Sequence, residues 1–366
     1  APERYRLGPQ EAPQSRVEEA ADLLRAAKLP LLVAGTAVHA TRTHDELARL
    51  AEILQCPVVP TAGGRGTLPE THPQALLFIG PGAEACRQAD CVLAVGTAIG
   101  EALDFGGPPL FGEPELQRWI SVERDPAAIG MNREIDLPLV GDLRAVLPQL
   151  SAALEKRGPF AAPAKLAEWR AQQDALRLML RGDAPETEPI HPGRAVIEVR
   201  EAVPDDAVLV RDGGSTGLWE AFFNEQRSRD FLWTSNFGHL GTGLPYAIAA
   251  QLAVGRDRRV CLVSGDSAFG FNAMELETAA RHDLPVLAVV NYDQHWGMER
   301  AGQLAEVGKL VECQTAPIRL DELARGLGCH GEYCTRTEEI QPAVKRALAS
   351  GKPALVQIVT DPEVNA

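Results

Sequence analysis

The chain lacks several things, and each absence narrows its chemistry. It has no run of about 18 uncharged apolar residues, so no membrane-spanning helix and no membrane partner are expected. Basic residues are outnumbered, 36 Lys and Arg against 50 Asp and Glu. The resulting formal charge of −14 argues against a basic face for nucleic-acid phosphates. The seven cysteines (Cys56, Cys86, Cys91, Cys261, Cys313, Cys329 and Cys334) are odd in number and irregularly spaced. They form no disulfide framework, which favours a reducing, cytoplasmic location. Cys329-His330 with Cys334 has no second ligand pair nearby, so it reads as a core thiol and a surface loop rather than a metal site. No Gly-x-Gly-x-x-Gly stands in the right place after a strand, which excludes the usual NAD fingerprint. The opening APERYRLGPQEAP has neither an apolar core nor a cleavage signal. It also lacks an initiator Met, which loss of Met before Ala1 or excision from a longer chain would each explain.

What is present is an ordinary globular balance, 45% hydrophobic and 23% charged over 366 residues, a length that favours two domains. Helix and strand signals alternate. A helical run at 17–27 precedes the wholly apolar PLLVAG at 30–35. A helix at 44–54, PVVP at 57–60, a helix at 83–89, and strands at 91–96 and 119–123 follow. Short apolar strands between helices build a buried parallel sheet. After a Pro-containing stretch with a charged helix at 166–180, alternation resumes. Helices at 195–203, 246–253, 273–281 and 338–349 lead to strands at 207–210, 260–263, 286–290 and 354–359. The reading is α/β, with two doubly wound parallel-sheet domains. Its boundaries are a linker at 1–16, a Rossmann-like central domain at 17–154, a connecting segment at 155–190 and a diphosphate-binding domain at 191–366.

The strongest chemical signal is Ser264-Gly265-Asp266-Ser267-Ala268-Phe269-Gly270, directly after an apolar strand and before a helix. Small residues there let backbone N–H groups approach a phosphate, and Asp266 stands where a hard cation would bridge to it. The next strand ends in Asn291-Tyr292-Asp293-Gln294-His295. Parallel strands open on the same edge, so Asp266 and Asp293 can face one ion.

The whole stretch, GDSAFGFNAMELETAARHDLPVLAVVNYDQHWGM, resembles the thiamine-diphosphate motif. The chain is thereby similar to the superfamily of acetolactate synthase, 2-hydroxyacyl-CoA lyase, oxalyl-CoA decarboxylase and sulfoacetaldehyde acetyltransferase. LLVAG, LPETHP, ADCVLAVG, ISVERDPAAIGMN and LVGD recur in order in the first half, as in the family's central domain. The resemblance implies thiamine diphosphate and Mg²⁺ as cofactors, with Asp266, Asp293 and the backbone carbonyl of His295 as metal ligands. Asp293 departs from the family's usual Asn and adds negative charge beside a diphosphate.

The diphosphate would lie on Gly214, Ser215 and Thr216 and on Gly265, Ser267 and Ala268. The carbonyl of Gly238, in Asn236-Phe237-Gly238-His239-Leu240-Gly241, would accept from the aminopyrimidine, and Leu240 would wedge the cofactor into its bent form. Gly297 and Met298 would also contact the cofactor. His239, His295 and Trp296 would border the reacting centre, and Arg300 would meet an anionic substrate. Each of these also admits a plain packing or surface reading.

The implied activity is C–C lysis, carboligation or 2-oxo acid decarboxylation on a small anionic or acyl-CoA substrate, in a homo- or hetero-oligomer. The glutamate that activates the cofactor belongs to a pyrimidine-binding domain, which the resemblance places on another chain or on a missing N-terminal portion. The alternative is a non-catalytic regulatory subunit that binds thiamine diphosphate or a nucleotide. In the central domain, strand-end residues Gly35, Gly96 and Glu123 suit ADP or no ligand better than FAD. The family's flavin-associated stretch aligns with Gly80-Pro81-Gly82-Ala83, and its arginine is absent at Thr97-Ala98-Ile99.

Overall fold

The computed structural model describes residues 8–233 and 238–364; Asn236 and Phe237 of the predicted cofactor segment lie outside the described residues. There are two compact units, residues 1–176 and 177–366, divided within the helix Ala164–Asp183.

The first unit holds β1 (Pro30–Ala34), β2 (Val58–Pro60), β3 (Cys91–Val95), β4 (Arg118–Glu123) and β5 (Leu137–Val140). All pair in parallel, in the order β2-β1-β3-β4-β5. Every residue of β1 and β3 is buried, as expected of strands covered by helices on both faces. The helices present matching stripes. Gln14–Ala26 buries Val17, Ala20, Ala21 and Leu24, and His44–Leu54 buries Leu47, Leu50, Ala51 and Leu54, both at helical spacing.

The second unit holds β6 (Val208–Arg211), β7 (Phe231–Leu232), β8 (Val260–Gly265), β9 (Leu287–Tyr292), β10 (His330–Cys334) and β11 (Ala354–Val359). These are again all parallel, in the order β10-β11-β9-β8-β6-β7. From β6 the chain first steps outward to β7 and then returns to β8 on the other side. The reversal opens a crevice at the carboxyl ends of β6 and β8, the place where open α/β sheets take ligands. Both units are therefore α/β with parallel sheets, as the alternation predicts. Among the described residues no helix is long and apolar enough to cross a membrane.

Three local expectations need correction. The surface loop expected around Cys329 and Cys334 is the edge strand β10, and both thiols are buried. HGEYC carries polar residues on a half-covered edge, so it shows no apolar run. The strand expected to stop at Val290 continues through Asn291 and Tyr292, because β8 and β11 pair with it on both sides. Likewise β8 runs on to Gly265 rather than stopping at Val263. In each case ladder hydrogen bonds, not hydrophobicity, set the strand end.

Trp119 on β4 is fully buried. It packs edge-on against Phe111 at 4.9 Å, and its indole N–H donates to Gln117 Oε1 at 2.9 Å. Trp119→Ala should lower unfolding free energy by about 3–5 kcal/mol, measured by denaturant titration.

Candidate functional site

The crevice of the second unit is a cavity of about 400 Å³. Its wall is built from five segments: the β6 tip with the following turn, Trp233 after β7, the loop at 238–240, the β8 tip, and the β9 tip with the loop after it.

Asp212 organises the first two. This buried carboxylate accepts from the N–H groups of Gly213 (2.7 Å), Gly241 (3.3 Å) and Gly243 (2.8 Å). It thereby ties the glycine-rich segment to the strand tip. Burial raises its pKa, and the three backbone donors hold the rise back. Gly213 has φ +102°, a conformation only glycine adopts readily. Ser215 and Thr216 then open the helix Ser215–Phe223, with Gly214 at its N-cap position.

The two predicted acidic residues come together. Gly265 pairs with Asn291 in the β8–β9 register, so Asp266 and Asp293 emerge at the same strand edge. Asp266 Oδ2 accepts from the Gln294 N–H at 2.8 Å, and Oδ1 from the Ser267 N–H at 2.7 Å. Asp293 Oδ1 accepts from the His295 N–H at 2.8 Å. Gln294 sits at φ +61°, a left-handed turn that brings the loop back over the strand tip. That loop is held by hydrogen bonds from Trp296 N–H to Cys313 O and from Thr315 N–H to Gln294 O. The His295 carbonyl accepts from Ser267 Oγ at 3.1 Å, which places it beside the Asp266 loop.

Burial, and then the charge of Asp293, push Asp266 up to about 7. Burial likewise raises Asp293, while the His295 N–H and the nearby charges of His295 and Arg300 oppose the rise. Two carboxylates brought to one strand edge in a shielded site suit a cation. Among the described residues no group of three or more His, Cys, Asp or Glu side chains is placed for a metal. The oxygen set here is two carboxylates and a carbonyl, which suits a hard divalent ion that keeps its remaining ligands from water and phosphate.

The wall also fits a diphosphate. A Cβ on Gly214 would stand 2.9 Å from Met298 Sδ, one on Gly265 3.0 Å from Thr216 Oγ1, and one on Gly297 2.8 Å from Ser215 Oγ. Glycines thus keep the backbone open for close approach, with two hydroxyls beside them.

Every predicted cofactor residue lines this cavity: Gly214, Ser215, Thr216, Gly238, Leu240, Gly265, Asp266, Ser267, Ala268, Asp293, His295, Gly297 and Met298. His239 and Trp296 line it too, Trp296 lying edge-on to Phe271 at 5.9 Å. Arg300 does not line it. Its side chain is buried away from the cavity and pairs with the exposed carboxylate of Glu363, not with the space where an anionic substrate was expected. Arg211, Asn291 and Glu299 line the cavity and were not anticipated. The first two carried a signal: each is a polar residue directly after an apolar run, in VLVR and LAVVN.

In the first unit, Gly35 and Gly96 serve close packing at the strand ends, since a Cβ on Gly35 would lie 2.2 Å from Gly96 O. Glu123 Oε1 accepts from the N–H groups of Arg124 and Asp125.

Comparison with known proteins agrees with this geometry. The family model described as thiamine pyrophosphate enzyme, central domain, matches residues 17–150, and the one described as C-terminal TPP binding domain matches residues 212–358. The acetolactate synthase large subunit IlvG of Mycobacterium tuberculosis is 34% identical over 351 residues, covering 95% of this chain and 62% of the relative. The 2-hydroxyacyl-CoA lyase 1 of Mus musculus is 29% identical over 372 residues, covering 96% and 63%. The sulfoacetaldehyde acetyltransferase of Alcaligenes xylosoxydans is 28% identical over 391 residues, covering 96% and 64%. The chain thus spans a little over three fifths of the length of these relatives. With both domain models matched in order and the second falling on the cavity just described, the chain belongs to the thiamine pyrophosphate enzyme family, of which it carries the central and the C-terminal TPP-binding domains.

Proposed function

We propose that this chain is the cofactor-binding portion of a thiamine-diphosphate- and Mg²⁺-dependent C–C lyase, carboligase or 2-oxo acid decarboxylase of acetolactate synthase type. The observation that carries the reading is the meeting of Asp266, Asp293 and the His295 carbonyl at one strand edge, beside a glycine-lined wall. The relatives named above support the reaction class.

In this reading Asp266, Asp293 and the His295 carbonyl hold the cation. Ser215 and Thr216 donate to the diphosphate at a helix N-terminus, where backbone N–H groups and the helix dipole favour an anion. The Gly238 carbonyl accepts from the aminopyrimidine, and Leu240 enforces the bend. His239, His295 and Trp296 border the space where a small anionic or acyl-CoA substrate would sit. Bound thiamine diphosphate would supply the carbanion that makes or breaks the C–C bond, and the protein would position it.

The activating glutamate is assigned to a pyrimidine-binding domain outside these residues, on a partner chain or elsewhere in a longer one, so turnover requires an oligomer. The strand ends of the first unit are assigned to ADP or to a purely structural role. FAD stands behind both, because the arginine is absent at Thr97-Ala98-Ile99. Asp293 in place of Asn specifically favours a second reading, a non-catalytic subunit that binds the cofactor. Turnover of a 2-oxo acid after a pyrimidine-binding domain is supplied separates the two, and its absence despite bound cofactor would leave only the second.

Two outcomes test the site directly. Calorimetry should show Mg²⁺-dependent binding of thiamine diphosphate. Asp266→Ala should abolish it, and Asp293→Asn should weaken Mg²⁺ binding about tenfold through the lost charge. The second concerns pH. Asp266 binds its proton more tightly in the folded chain, at about 7 against 3.8, so its contribution favours the fold at low pH and is lost as pH rises through 7. In chelator, stability should fall by roughly 3–4 kcal/mol between about pH 4 and pH 8 from this group. The decline should flatten in Asp266→Asn and reverse above pH 7 when Mg²⁺ and the diphosphate are added.

A further inference from the structure

Asn291 is a polar residue in a strand whose preceding positions are Leu287, Ala288, Val289 and Val290. It is 4% exposed, lines the cavity, and has no hydrogen-bond partner for either Oδ1 or Nδ2. An amide buried with both ends unmatched destabilises a fold that an apolar residue would leave unharmed. A guest that brings both a donor and an acceptor removes that penalty.

The neighbours say which guest. Opposite Asn291 in register is Gly265, where a Cβ would stand 3.0 Å from Thr216 Oγ1, so that hydroxyl lies close to the strand tip. The amide and this hydroxyl therefore border one part of the cavity, on the side where Asp266 emerges. Asp266 and Asp293 are acceptors only when ionised, and so is a phosphate. With a second carboxylate at position 293, the anionic guest meets more repulsion than an amide there would give. An uncharged N–H donor at the floor offsets part of it without competing for the cation.

We propose that Asn291 is a diphosphate-binding residue. Its Nδ2 would donate to a phosphate oxygen of the diphosphate, and its Oδ1 would accept from solvent that enters with it. This rests on the cofactor reading above, but the motif that marks the family assigns this position no role.

The test uses the 366-residue chain, with Mg²⁺ and inorganic pyrophosphate as probes, so the aminopyrimidine and its separate domain do not enter. Calorimetry should show Mg²⁺-pyrophosphate binding to the wild type. Asn291→Leu and the smaller Asn291→Val should each weaken it at least tenfold while raising the melting temperature of the ligand-free protein. Affinity and stability moving in opposite directions is a signature that a structural asparagine would not give. Asn291→Asp should lose pyrophosphate more severely still, yet keep binding Mg²⁺ alone. Wild-type pyrophosphate affinity in the Leu and Val variants, or in the Asp variant, would overturn the inference and leave the cofactor reading intact. So would a lowered melting temperature in both apolar variants. If the wild type itself fails to bind Mg²⁺-pyrophosphate, the cofactor reading fails, and this inference fails with it.

Discussion

The site depends on one pairing, the parallel ladder that sets Gly265 of β8 beside Asn291 of β9. A slip of one residue would turn every side chain of β9 to the other face of the sheet. Asp293 would then leave the cavity while Asp266 stayed. The register is protected because Val289 and Val290 are buried on opposite faces, Val289 in one hydrophobic cluster and Val290 in the other. Packing in the two hydrophobic clusters thus fixes the position of both carboxylates.

Around that ladder the crevice concentrates groups whose burial opposes folding. Asp266 and Asp293 repel each other in a shielded place, and the Asn291 amide has no partner. Such arrangements persist where the surroundings over-determine them. Here three devices do so. Asp212 gathers three backbone N–H groups and fixes the glycine-rich segment. The left-handed Gln294 and its backbone bonds with the 313–315 segment hold the β9 loop in place. The buried Arg300, paired with Glu363, anchors the helix Gly297–Val307 just beyond the loop and brings a positive charge near Asp293. A cation and an anionic tail would convert each opposed term into an attractive one.

The glycines belong to the same logic. At Gly214, Gly265 and Gly297 a methyl group would collide with Met298, Thr216 or Ser215. In the first unit, close approach of Gly35 to Gly96 instead brings backbone against backbone. One residue type thus lets side chains close on the strand tips in one sheet and seals strand ends with backbone in the other. The difference lies in what stands opposite: the side chains of Met298, Thr216 and Ser215 in the second unit, a backbone carbonyl in the first.

Much of this was legible in the residues alone. Apolar runs of four to six between amphipathic helices announce buried parallel strands, and the GDSAFGF and NYDQHWGM segments at consecutive strand ends announce a shared edge. Those signals are local, because strand burial and motif spacing act over a few neighbouring residues. Tertiary structure alone decided that β9 extends through Asn291, that HGEYC is an edge strand, and that Arg300 turns inward to Glu363. Each depends on a partner far away in sequence, whether a ladder neighbour or a C-terminal carboxylate. A side chain's charge is written in the chain, but whether it meets a guest or its own fold is set by which distant segment packs against it.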